Sequence, residues 1–185
     1  MTSSAPLSPP RATRHIISIL VEDRFGELAR IVGLFSGRGY NIDSLAVNRS
    51  LEPGMSRVVL TTRGDAAVVE QILKQVNKLV RVHKVRHLEG EAHLERELCV
   101  VTVRTQSPKA REELERVIKL TGARVLAFSA TAFSVEATGT SSDIDHFLEL
   151  LRPLGVRDMV RTAPVALHRA GAEAEAPAVE VSSLS

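Results

Sequence analysis

The residues best suited to holding a ligand lie in the turn Asp23-Arg24-Phe25-Gly26-Glu27-Leu28. A glycine just ahead of a helix lets the backbone bend tightly and leaves the first helical N–H groups open. Those amides sit at the positive end of the helix dipole and attract a small anion such as a carboxylate. Asp23 could accept a hydrogen bond from an ammonium group, and Asn41, beyond the helix, carries both a donor and an acceptor. Together they would read an amino acid at both charged ends. The same spacing also fits a plain helix cap at Asp23 and a turn residue at Asn41. Either way the turn binds rather than transforms, since no acid–base pair accompanies it.

Other chemistries fare worse. His83, His87 and His93 are spaced by four and six, but no carboxylate or cysteine nearby completes a zinc set, so a solvated strand face is the expectation. His15, His146 and His168 stand alone. There is no G-x-S-x-G elbow, P-loop or G-x-G-x-x-G fingerprint. Gly37-Arg38-Gly39 resembles part of the last, yet it follows a helix and precedes a strand, the reverse of what a phosphate cradle needs. No metal or cofactor is expected in this chain.

At 185 residues, 44% hydrophobic and 25% charged, the chain can bury one core or two small ones. The net charge of +2 gives little footing for nucleic acid, which calls for a concentrated basic face. One cysteine, Cys99, excludes an internal disulfide; in the run Leu98-Cys99-Val100-Val101 it reads as a core thiol. No apolar stretch approaches the roughly 18 residues of a membrane span, and the Ser/Pro-rich start lacks the apolar centre of a secretory signal. A cytoplasmic location is expected.

The elements that must position the turn follow from periodicity. His15–Glu22 is Ile/Leu-rich on both parities, as in an interior strand. Leu28, Ile31, Val32 and Phe35 mark one helix face, which Gly37 and Gly39 end. Residues 41–49 form a second strand; Ile42 and Leu45 fall on opposite parities, so either a bulge intervenes or one of them faces outward. Residues 55–62 form a third strand, Asp65 caps a helix striped with Val69, Ile72, Leu73 and Val76, and residues 80–85 close the unit. Residues 89–96 are polar and read as a linker.

The same order then returns. Residues 98–105 form a strand, Ser107-Pro108 opens a helix with inward Leu114, Val117 and Ile118, and Gly122 stops it. Residues 124–128 and 132–137 pair, a helix carries Ile144, Phe147, Leu148 and Leu151, and residues 156–162 end the unit. A shift of 75 positions carries Gly64 onto Gly139, Val69 onto Ile144, Ile72 onto Phe147 and Val76 onto Leu151. Two α+β units in tandem are thus predicted, each an antiparallel sheet covered on one face by two helices. The tails, 1–13 and 172–185, read as disordered. Strand–helix–strand–strand–helix–strand is also the order of RNA-recognition modules, but their sheets carry stacking aromatics. The third strand, MSRVVLTT, has none, and the chain has five Phe, one Tyr and no Trp, so nucleic acid is not an expected partner.

The block RHIISILVEDRFGELARIVGLFSGRGYNIDSLAV resembles the N-terminal ACT domain of the small, regulatory subunit of acetolactate synthase (acetohydroxyacid synthase). MSRVVLTT, QILKQVNKLVRVHKV, ERELCVVTVR, FSVEATGT and VALHRAG fit the family in order, so the resemblance spans about Arg14 to Gly171. It implies two ferredoxin-like βαββαβ domains, an ACT domain at 14–88 for effector binding and dimerisation and a second domain at 97–171. It further implies a chain without catalysis of its own. The expected partner is a catalytic large subunit carrying thiamine diphosphate, Mg2+ and FAD, which joins two pyruvates into 2-acetolactate and CO2. The small subunit raises that activity and confers feedback inhibition, usually by valine, in branched-chain amino-acid biosynthesis. A stand-alone ACT sensor acting on another enzyme or on transcription is the alternative.

In this family the effector lies between two ACT domains. Carried over, the resemblance assigns the carboxylate to the Asp23–Gly26 turn, with Phe25, Glu27 and Leu28 flanking it, and assigns Asn41 and Ile42 to the partner's side of the site. Two positions depart from the family pattern. Asp23 stands where many relatives have asparagine, and Phe25 where proline or a small residue is common, which bears on effector affinity and choice.

Overall fold

The computed structural model describes residues 13–88, 90, 93–171 and 179–180. The first unit comprises β1 (Thr13–Glu22), α1 (Glu27–Gly37), β2 (Ser44–Arg49), β3 (Met55–Gly64), α2 (Ala66–Val76) and β4 (Val82–Leu88). The second comprises β5 (His93–Arg104), α3 (Pro108–Thr121), β6 (Arg124–Phe128), β7 (Ala132–Gly139), α4 (Ser141–Leu151) and β8 (Val156–Arg161). Two further strands follow, β9 (Val165–His168) and the two-residue β10 (Val179–Glu180). Both units are βαββαβ, so the chain holds two tandem α+β domains with antiparallel sheets.

The first sheet has the order β10-β4-β1-β3-β2, with β1 in its interior. Both parities of β1 are buried because both faces of the strand are covered. Ile17, Ile19 and Val21 join Val58, Leu60, Val82 and Val85 under the helices, where Ile31, Phe35, Ile72 and Val76 close the core. Ile31 and Phe35 are fully buried, and together contribute about 3–6 kcal/mol toward docking α1. On the opposite face Ile16, Val59 and Leu88 meet Ala166 of β9. That strand pairs with His93–Arg96 of β5, and Arg14 of β1 reaches Glu95 at 2.9 Å. The second unit therefore roofs part of the first sheet's outer face.

This pairing corrects the expected linker. Residues 93–96 are strand, since β9 supplies the backbone partner that a polar sequence alone does not reveal. Of the expected tails, Thr13 already pairs with Gly64, and Val179–Glu180 pair with Val85 and Lys84 of β4. Residues 1–12, 172–178 and 181–185 lie outside the described residues.

The second sheet runs β6-β7-β5-β8. Its core gathers Cys99, Val101, Val103, Leu114, Val117, Val135, Ile144, Phe147 and Leu151. The repeat is physical: Val69 and Ile144, Ile72 and Phe147, and Val76 and Leu151 are all buried, at equivalent points of α2 and α4. The glycines ahead of these helices also match. A Cβ on Gly64 would come 3.1 Å from Val68, and one on Gly139 would come 2.6 Å from the Cβ of Asp143. Each glycine permits the same close strand-to-helix turn. Caps follow suit, with Asp65 accepting from the Val68 amide and Thr140 forming a capping box with Asp143.

Candidate functional site

Gly26 has φ 89° and ψ −11°, a left-handed conformation that favours glycine, and it immediately precedes α1. No side chain caps this helix, so Asp23 does not act as a cap. Its backbone N–H instead donates to the Gly54 carbonyl at 2.7 Å, which ties the turn to the loop between β2 and β3. An added Cβ at Gly26 would meet nothing within 4 Å, and Phe25 beside it is fully exposed. The start of α1 is thus an open, anion-attracting end that no side chain among the described residues caps.

Glu27, at the first position of α1, turns inward. Its side chain is 4% exposed and accepts from Arg81 at 2.8 Å, with Arg30 3.6 Å away. Its burial rotates the inward stripe of α1 to Glu27, Ile31, Leu34 and Phe35, leaving Leu28 39% exposed and Val32 on the flank. The amide of Glu27 is spent on the Arg24 carbonyl at 3.3 Å. Around the turn stand four guanidinium groups, Arg24, Arg30, Arg49 and Arg81, against three carboxylates, Glu22, Asp23 and Glu27. The local balance favours an anion.

Asn41 and Ile42 lie elsewhere. Register places Glu22 opposite Met55 and Arg49 opposite Ser56, so the Gly26 turn is at the Arg49 end of β2. Asn41 sits at the other end: its carbonyl accepts from the Thr62 hydroxyl at 2.6 Å, and its amide donates to Asp43 at 2.8 Å. From Ser56 to Thr62 is roughly 20 Å of strand. One chain therefore does not bring the two clusters together. Ile42 precedes β2 and packs against the core beside Leu45, so the parity conflict needs no bulge: the strand starts later, at Ser44. Of the terminating glycines, Gly39 has the positive φ and Gly37 remains helical.

The histidines divide. His15 and His87 hydrogen-bond to each other at 3.0 Å, while His83 stands 3.4 Å from Glu22. No group of three or more His, Cys, Asp or Glu among the described residues could hold a metal ion. Nor is any described helix long and apolar enough to cross a membrane.

Residues 17–84 match the family described as "AHAS small subunit-like ACT domain", and residues 96–170 match "Small subunit of acetolactate synthase". A probable acetolactate synthase small subunit of Methanothermobacter thermautotrophicus is 46% identical over 155 residues, covering 84% of this chain and 92% of that protein. The chain belongs to the acetolactate synthase small-subunit family. The isozyme 3 small subunit of Escherichia coli is 38% identical over 157 residues, covering 84% and 96% of the two chains. The crystal structure of the acetolactate synthase small subunit from Thermotoga maritima superposes with a TM-score of 0.77 at 33% identity, over 85% of this chain and 98% of that one.

Two charged residues of the site escaped sequence reasoning. Arg49 reaches Asp23 at 3.8 Å only because the β2–β3 register folds it back beside the turn. Arg81 meets Glu27 across 54 positions. Neither has a local sequence signal; a pairing register for β2 and β4 would have found both.

Proposed function

We propose that the chain is the regulatory partner of a catalytic acetolactate synthase large subunit, raising its activity and making it subject to feedback inhibition by valine. Condensation of pyruvate stays on the partner, where thiamine diphosphate, Mg2+ and FAD supply the chemistry. The observation that carries this reading is the uncapped, exposed start of α1 behind Gly26. It offers backbone donors to a carboxylate and no nucleophile or base to act on it.

The valine site forms between two copies. Among the described residues β2 is an edge strand paired with β3 alone. Two such edges meeting antiparallel about a two-fold axis would set the Asn41–Ile42 end of one copy beside the Asp23–Gly26 turn of the other. Exposed Leu28 and half-buried Val32 on α1 would meet their partners across the same axis. Phe25 borders the effector, and Asp23 faces its ammonium group. Binding between copies links effector occupancy to dimer stability, and the effector shifts the holoenzyme only by its difference in affinity for the two activity states.

The test is acetolactate formation by the cognate catalytic chain, with and without this protein, titrated with valine, leucine and isoleucine. Gly26→Asp fills open space at a cost of about 1–2 kcal/mol for the left-handed backbone, which the fold tolerates. It places a carboxylate where the effector's would sit. Valine inhibition should weaken at least about tenfold while stimulation persists. Full valine sensitivity in this variant would move the site elsewhere, and an unchanged catalytic rate with the wild-type chain would remove the regulatory role.

A further inference from the structure

The outer face of the first sheet is only partly roofed by the β5–β9 pair. Beside the Ile16, Val59, Leu88 and Ala166 cluster lies a cavity of about 720 Å³, within the range that accepts a small organic molecule. Its apolar walls are Leu88 from the sheet and Leu94 and Leu167 from the roof. Its floor is basic. Ser18, at the centre of β1, lies opposite Arg86 of β4, and Arg57 of β3 donates to its hydroxyl at 3.3 Å. The Nε–H of Arg86 is buried with no hydrogen-bond acceptor among the described residues. Neither Arg57 nor Arg86 has a carboxylate within ion-pair distance among the described residues, whereas Arg14 and Arg161 at this junction are paired with Glu95 and Glu97.

Over the described lining there are four arginines, Arg49, Arg57, Arg86 and Arg96, against Glu52 and Glu95, and Arg49 is shared with Asp23 of the turn at 3.8 Å. Glu95 is already held by Arg14 at 2.9 Å. A guanidinium that has lost water on one edge and gained no acceptor is poised for an anion. The scarcity of free carboxylates disfavours a ligand with an ammonium group, which sets this cavity apart from the amino-acid turn at Gly26. We propose that this cavity binds an organic anion with an apolar body. Its head sits between Arg57 and Arg86 against the Ser18 hydroxyl, and its body lies along Leu88, Leu94 and Leu167. Because walls and floor come from different halves of the chain, occupancy fastens the second unit onto the first.

The probe is 8-anilinonaphthalene-1-sulfonate, an apolar dye with an anionic head, titrated into the full-length protein and followed by fluorescence. Its neutral counterpart is N-phenyl-1-naphthylamine. The wild type should bind the anionic dye saturably at one per chain. Arg86→Gln should weaken it about tenfold and leave the neutral dye within about twofold. Leu167 is 59% exposed on β9, so Leu167→Trp fills the cavity without disturbing the core and should exclude both dyes at an unchanged unfolding midpoint. The proposal is overturned by non-saturable dye binding to the wild type, by unaltered binding of both dyes to Leu167→Trp, or by equal losses of both dyes in Arg86→Gln.

Discussion

Glu27 offers a direct test of how the anion turn is built. Its carboxylate is 4% exposed and relies on Arg81 at 2.8 Å, itself 42% exposed, with Arg30 at 3.6 Å and 60% exposed. Removing each partner has unequal consequences. Glu27→Gln keeps the shape and leaves two arginines that water can solvate, so it trades a charge-assisted hydrogen bond for a neutral one at about 1 kcal/mol. Arg81→Met strands a buried carboxylate. Fully buried, that would cost about 3–5 kcal/mol; with Arg81 nearly half exposed and Arg30 still near, about 2–3 kcal/mol is expected. The double variant should cost little more than Glu27→Gln alone, because its second change no longer strands a charge. Urea unfolding followed by circular dichroism reads this. With a slope of about 2 kcal/mol/M, the single variants should differ by roughly 0.5–1 M in midpoint. Glu27→Gln should also leave the valine midpoint of the holoenzyme within about twofold, since the carboxylate points into the protein. If Arg81→Met proves no more destabilising than Glu27→Gln, the carboxylate is not held as described. If Glu27→Gln abolishes valine sensitivity, the side chain belongs to the ligand.

Two predictions concern the second unit. The Asp143 carboxyl is held below the usual carboxylate range by the Thr140 hydroxyl and then by the Thr140 backbone N–H. A depressed folded value means stability that is present above the unfolded value of about 3.9 and lost as pH falls through the folded one. The difference in thermal midpoint between wild type and Asp143→Asn should therefore shrink between pH 7 and pH 3; a constant difference would refute the linkage. Burial pushes the Cys99 thiol up, and its side chain is fully enclosed. A disulfide reagent should label it only through opening, at least about a thousandfold slower than in denaturant, and rapid labelling of the native protein would contradict that packing.

The parts of this fold legible in the sequence are those fixed by local chemistry. Asp65 and Ser107 accept from the amides three residues on, as cap residues do, and the stripes of α2 and α4 are buried as their spacing indicates. The 75-residue repeat was visible because the same glycine turn and apolar side chains at the same three inward positions recur. Long-range compensation hid the rest. Apolar spacing alone puts Leu28 and Val32 on the inward face of α1, whereas the ion pair with Arg81, 54 positions away, turns Glu27 inward instead. Residues 93–96, His-Leu-Glu-Arg, hold a single apolar residue, so only the later strand Val165–His168 makes them part of a sheet. The glycine turn itself was legible, but Arg49 beside it depends on a β2–β3 register that no short motif encodes.

The separation of Asn41 from Gly26 decides what kind of regulator this chain can be in the proposed arrangement. Both clusters flank the same strand pair, one at the Ser56 end and the other at the Thr62 end, and the strands between them are rigidly paired. No hinge within one copy closes a gap of roughly 20 Å across a hydrogen-bonded sheet. An effector that touches both must therefore bridge two copies, and its affinity then depends on how those copies are set against each other. In that arrangement, a small change in the angle between two β2 edges would alter the spacing at the turn and at the second unit alike, because β9 packs directly on β1 and β4 through Ile16, Leu88 and Ala166. The fold thus offers a packed route from the start of α1 through β1 and β4 to β9 of the second unit. In the proposed arrangement, a bound effector would bias the catalytic partner by selecting one setting of that route rather than by contacting the partner itself.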